Sequence, residues 1–245
     1  METKLLKIKN NRGILLEKES DRIAIMIAGF ERAATTDKRF KELADKLSVS
    51  SFRFDYSGIG LSDGDFRHMT VSSMQKELKN VLREFKKNYK KIVVVSHSLS
   101  GCVVSNMNFF KKVMLSPALN QRELLRYYFV VSSFKDNKRI GWHNYRDYLN
   151  EDEFLEYCAK EGKVTKNNFI DSEYFIENKD RDYADLIKDN NNILHIHGDE
   201  DDKVPIESLN ISFSRSIIIK GGDHDLARPN MRDQWIGPTV EFIEK

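Results

Sequence analysis

The sequence predicts an α/β protein with a mostly parallel central sheet, an antiparallel start and helices on both faces. Three observations carry this. Short β-branched runs recur along the chain, the first follow one another too closely for helices to intervene, and the later ones alternate with segments of helical periodicity. Strands are expected near residues 4–9, 13–18, 22–28, 50–55, 91–96, 112–115, 193–197 and 216–220. Asp37 to Leu47 sets Phe40, Leu43, Ala44 and Leu47 at helical spacing, and Val71 to Phe85 does so with Val71, Met74, Leu78, Val81, Leu82 and Phe85. Further helices are expected from Leu99 to about Asn108 and from about Arg232 to Glu244.

Length and composition agree with a globular protein, either one α/β domain with an insertion or two small domains, and narrow its partners. Of 245 residues, 40% are hydrophobic and 32% charged, enough chain and apolar content for a sizeable core. Lys and Arg total 40 against 38 Asp and Glu, interspersed, so the net +2 makes no electrostatic case for nucleic acid or a membrane surface. Met1 to Lys9 alternates charged with apolar residues, unlike a signal peptide, and no segment reaches membrane-spanning length. Cys102 and Cys158 form no metal or redox spacing, so two free thiols in a reducing, cytoplasmic setting are expected.

The chemistry concentrates behind the run Lys91-Ile92-Val93-Val94-Val95, where Ser96-His97-Ser98-Leu99-Ser100-Gly101 reads as a strand turning sharply into a helix. Such an elbow holds its central residue in a strained conformation and needs small residues two positions to either side, which Ser96 and Ser100 supply. Ser98 is the residue it presents. A serine nucleophile needs a base and an acid to orient that base. Downstream, Ile193 to Gly198 reads as a buried strand followed by Asp199-Glu200-Asp201-Asp202-Lys203-Val204-Pro205, and Ser216 to Lys220 as a strand followed by Gly221-Gly222-Asp223-His224. Both loops fall on the edge where open α/β sheets build their sites.

In order and spacing these motifs resemble the α/β-hydrolase superfamily over nearly the whole chain. That resemblance implies Ser98 as nucleophile, Asp201 as acid with Asp199 as the alternative, and His224 as base. It also implies oxyanion donors at the Leu99 amide and at the Phe30 amide in Ala28-Gly29-Phe30, which resembles the family's His-Gly-Phe. The chain departs from the pattern where Ser96 and Ser100 replace glycines and Ala28 replaces histidine. The segment from Phe54 to Phe66 resembles cinnamoyl and feruloyl esterases and small acyl-thioesterases. A carboxylic ester or thioester of a small to medium acyl group is the substrate this implies, with no cofactor and no metal.

Residues 118 to 190, between the expected strand ending near Leu115 and the acid-bearing strand, are too many for a simple crossover and are expected to form a helical cap on a core of 1–117 and 191–245. Half of the 26 aromatic residues fall there. Most should pack the cap, while Trp142 and Tyr145 are expected to line the substrate pocket. His195-x-His197-x-Asp199 resembles a metal-ligand pattern, but a binuclear site would want further histidines downstream, where only His224 remains. His195 and His197 are therefore expected to hydrogen-bond locally. Other readings on the same scaffold are a C–C bond hydrolase or lyase and a non-catalytic ligand-binding protein.

Overall fold

The computed structural model describes residues 2–135, 139–187 and 191–245. Its centre is an eight-stranded sheet. The strands in it are β1 (Glu2–Ile8), β2 (Asn11–Glu17), β3 (Arg22–Ile27), β4 (Ser50–Phe54), β5 (Lys91–His97), β6 (Lys111–Leu115), β9 (Ile193–Gly198) and β10 (Ser216–Ile219), with the pair β7 (Lys163–Val164) and β8 (Phe169–Ile170) forming a small hairpin elsewhere. Their spatial order is β1-β2-β4-β3-β5-β6-β9-β10. Only β2 runs against the rest, pairing antiparallel with β1 and β4, while every other neighbouring pair in this sheet is parallel.

The central strands β3 and β5 carry apolar runs, Ile23 to Ile27 and Ile92 to Val95, because both of their faces are covered. In β5, Ile92 and Val94 join one core cluster while Val93 and Val95 join the other. The helices supply the covers. On one face lie α1 (Lys38–Lys46), burying Phe40, Leu43 and Ala44, and α7 (Pro229–Glu244), burying Trp235 and Ile236. On the other lie α2 (Val71–Phe85) and α3 (Ser100–Val104). All six residues that marked α2 by their spacing are buried, and Thr70 starts the helix with a reciprocal capping box to Ser73.

Two helix boundaries depart from expectation. α3 stops at Val104 instead of about Asn108, because the Ser105 hydroxyl donates to the Cys102 carbonyl at 2.8 Å and competes with the helical amide for it. α7 begins at Pro229, a residue suited to the first helical position, earlier than Arg232.

Between β6 and β9 come α4 (Gln121–Ser133), α5 (Glu151–Ala159), the β7–β8 hairpin and α6 (Ser172–Asn178). None adds a strand to the main sheet. The segment is mostly helical, as expected, but the hairpin was not. The expected end of the insertion at residue 190 lies outside the described residues. Among those described, no helix is long and apolar enough to cross a membrane.

Candidate active site

At the C-terminal end of β5 the chain turns through Ser98, whose φ of 56° lies in the left-handed region that a non-glycine residue enters at a cost. The turn is held from several sides. Ser98 N donates to Leu115 O at 2.9 Å, and Ser98 O accepts from Gly101 N at 2.9 Å and Ala118 N at 3.1 Å. Gly29 must be glycine, since a Cβ there would stand 2.7 Å from the Cβ of Ser98. The two serines that replace small glycines are accommodated chemically: Ser96 Oγ donates to Val113 O at 3.3 Å, and Ser100 Oγ donates to Ala28 O. Buried hydroxyls in place of hydrogen atoms are thus left with partners.

Two other loops reach the same place. The turns after β9 and β10 cross so closely that a Cβ on Gly198 would lie 2.1 Å from the Gly222 carbonyl oxygen. From the first loop Asp201 and from the second His224 are brought together, with His224 Nδ1 donating to Asp201 Oδ2 at 2.8 Å. His224 Nε2 stands 3.0 Å from Ser98 Oγ. Asp201 Oδ1 also accepts from the backbone amides of Lys203 at 3.0 Å and Val204 at 2.8 Å. Burial works to raise the Asp201 carboxyl, but the hydrogen bonds from His197 and His224 outweigh it and hold the group well below the usual carboxylate range. It is therefore an anion at neutral pH, which fixes His224 with Nδ1 protonated and Nε2 as acceptor.

Asp199, the alternative acid, faces elsewhere and accepts from Gly221 N at 2.6 Å. His97 Nε2 donates to the His224 carbonyl at 3.0 Å, pinning the backbone of that residue. Burial above all, with Arg39 and His224 adding to it, keeps the His97 ring uncharged. Neither the Phe30 amide nor the Leu99 amide donates to a protein acceptor among the described residues.

Ser98 and His224 line a cavity of about 680 Å³, the size of a small-molecule site. The residues of its wall differ from those expected. Gln121, Leu125, Phe129 and Ser132 present one face of α4 to it, and Tyr157 and Phe175 come from α5 and α6. The spacing of 121, 125, 129 and 132 is the signal that identifies this face.

Trp142 and Tyr145, expected in the wall, are not among its lining residues. They lie on the other side of α4. Tyr145 is fully buried and donates through its hydroxyl to Glu123 Oε2 at 2.5 Å, while the Trp142 and Tyr145 rings pack on Tyr127 at centroid distances of 5.4 and 5.6 Å. They fasten α4 from behind. At the mouth, the Glu31 carboxylate accepts from Thr165 Oγ1, Asn167 N and Asn168 Nδ2 and so ties the Phe30 loop to the β7–β8 hairpin.

No protein-family model and no curated protein sequence matches the chain. Its fold does have relatives of known structure. Est1E from Butyrivibrio proteoclasticus, solved with ferulic acid bound, superposes with a TM-score of 0.74 at 18% identity, covering 99% of this chain and 100% of that one. Mouse alpha/beta hydrolase domain-containing protein 10 gives 0.65 at 18% identity, covering 100% and 99%. The monoacylglycerol lipase of Paleococcus ferrophilus gives 0.63 at 17%, covering 99% and 98%. With strand order, connection pattern and these superpositions in agreement, the described residues adopt the α/β-hydrolase fold.

Proposed function

We propose that the protein is a serine hydrolase that cleaves a carboxylic ester or thioester of a small to medium acyl group through an acyl-enzyme. The observation that carries this reading is the unbroken line from Ser98 Oγ to His224 Nε2 at 3.0 Å and from His224 Nδ1 to Asp201 Oδ2 at 2.8 Å, on the floor of a largely apolar cavity. Relatives by fold that are named esterases, a monoacylglycerol lipase and a ferulic-acid-bound protein support the ester as the bond at issue.

In this reading Ser98 Oγ attacks the acyl carbonyl while its proton passes to His224 Nε2, and Asp201 stabilises the imidazolium that forms. The oxygen of the tetrahedral intermediate is received by the amides of Phe30 and Leu99, which have no competing protein acceptor among the described residues. His224 returns the proton to the departing alkoxide or thiolate. A water then attacks the acyl-enzyme, losing its proton to His224, and the acid leaves as Ser98 is restored. The acyl half is common to both substrate classes, so an oxygen ester and a thioester proceed alike up to the leaving group.

The segment from 118 to 190 serves as the cap over this chemistry, with α4 as its acyl-binding wall. Two buried free thiols suit a reducing compartment, which points to the cytoplasm.

The test is mass spectrometry of wild type and Ser98→Ala after exposure to a fluorophosphonate, followed by a panel of acyl esters and thioesters. One adduct on Ser98, absent from the variant, with turnover of the panel is the expected result. A folded wild-type protein that takes up no label would overturn the reading in favour of a ligand-binding role; labelling without ester or thioester turnover would favour carbon–carbon bond cleavage.

A further inference from the structure

Strand β9 carries two imidazoles, His195 and His197, that the mechanism above does not use. Both are buried, His197 completely. His197 Nε2 stands 2.8 Å from the Val204 carbonyl and 3.3 Å from Asp201 Oδ2. Both neighbours are acceptors, so Nε2 must carry the proton. With Nε2 as the donor, His197 Nδ1 is placed to accept, and it lies 3.1 Å from His195 Nε2, which donates to it. His195 Nδ1 in turn accepts from Ser216 Oγ at 3.1 Å. Every ring nitrogen has one role, and none is left to face a metal ion alongside Asp199. Burial foremost, then His197, holds His195 down to about 3, so this ring is neutral.

The Asp201 carboxylate therefore sits between two imidazoles. His224 reaches Oδ2 from the side of the serine and His197 from the interior, while two backbone amides hold Oδ1. A carboxylate with a fully buried side chain needs its oxygens filled with donors to stay ionised and in one rotamer.

We propose that His197, backed by His195, is a positioning residue that keeps the Asp201 carboxylate ionised and oriented toward His224. Its rate readout rests on the serine-hydrolase reading above, whereas its spectroscopic readout rests on this geometry alone. If His197 served only the Val204 carbonyl, its loss would alter stability and leave His224 unchanged.

The experiment compares wild type with His197→Leu, His197→Gln and His195→Leu. Gln places an amide N–H where Nε2–H stands, whereas Leu removes the donor at similar volume. Two quantities are read: the second-order rate of Ser98 labelling by a fluorophosphonate, and the proton resonance of His224 Nδ1–H with the nitrogen shifts of the three imidazoles. Labelling is expected to fall about 10–100-fold in His197→Leu, the scale of a small misplacement at a reacting centre. A several-fold loss is expected in His195→Leu, one link further away, and near wild-type rate in His197→Gln. The His224 Nδ1–H resonance should move in His197→Leu and return in His197→Gln.

Unchanged rate and resonance in His197→Leu would overturn the proposal, as would nitrogen shifts that put the His197 proton on Nδ1. Should His197→Leu not fold, His195→Leu and the wild-type nitrogen shifts decide the same question. Should wild type itself take no label, the hydrolase reading fails, while the resonance of His224 Nδ1–H across the variants still tests the role of His197.

Discussion

Arg32 Nη2 lies 2.8 and 2.7 Å from the two carboxylate oxygens of Asp225, joining the residue two beyond Phe30 to the residue after His224. The pair bridges two loops of the cavity mouth that share no strand. Both side chains are partly exposed, so the pair contributes at most about 1 kcal/mol to stability. Its effect should instead be felt in geometry. Arg32→Ala is expected to lower kcat several-fold with little change in Tm, read by ester kinetics and thermal melts on the same samples. An unchanged kcat would mean that the two loops are positioned without it.

The two candidate acids differ in what they touch, which gives the sharpest discrimination. Asp201→Asn should cost about 10⁴-fold in kcat, because an amide cannot hold His224 in the productive tautomer. Asp199→Asn keeps an Oδ1 that can accept from Gly221 N and should stay within a few-fold of wild type. Equal losses in the two variants would count against the assignment of Asp201.

Acid should destabilise the fold before it unfolds carboxylate contacts generally. His97 and His195 have lowered values when folded, the latter about 3, whereas in the unfolded chain each takes up a proton near about 6.5. Unfolded chains then bind more protons than folded ones, so stability is complete above about 6.5 and declines below it, by up to about 1.4 kcal/mol per pH unit for each histidine. The depressed carboxyl of Asp201 has the same sign, its contribution being lost below the ordinary carboxylate range. Melting curves at pH 7.5, 6 and 5 should show Tm falling steadily; a flat Tm across that range would contradict the buried neutral rings.

Leu125 faces the cavity from α4, and Tyr127 faces away from it. Leu125→Trp should therefore lower kcat/KM for longer acyl esters by about 10-fold or more while sparing acetate, as expected when a pocket is shortened. Tyr127→Phe, the control, removes a hydroxyl bonded to the Asp202 carbonyl and should leave the chain-length profile unchanged. A profile that Leu125→Trp does not alter would place the acyl group elsewhere.

All eight strands of the main sheet were legible, β3 and β5 as apolar runs buried on both faces and the edge strand β1 through its alternation of charged and apolar residues. The order of Ser98, Asp201 and His224 along the chain was legible too, since each follows a strand end. What lay hidden depended on contacts between distant segments. The β7–β8 hairpin consists of strands of two residues, below any periodicity. Trp142 and Tyr145 were singled out by ring content, whereas the cavity wall followed from helical phase in α4. The contact between His197 and Asp201 exists only because the loop after β9 folds back upon its own strand, which no linear spacing displays.

The β6–β9 pairing also bears on how the molecule is made. These strands lie side by side, yet the whole insertion separates them along the chain. Such distant pairing is slow to form, and on a ribosome β5 and its serine turn emerge well before β9, β10 and α7. Until β9 has been made, β6 is an unpaired parallel edge, and until the loop after β10 has been made Ser98 has no histidine beside it. The contact between Ser98 and His224 therefore forms later than the serine turn itself, and the β6 edge is the place where a translating chain is open to mispairing until β9 arrives.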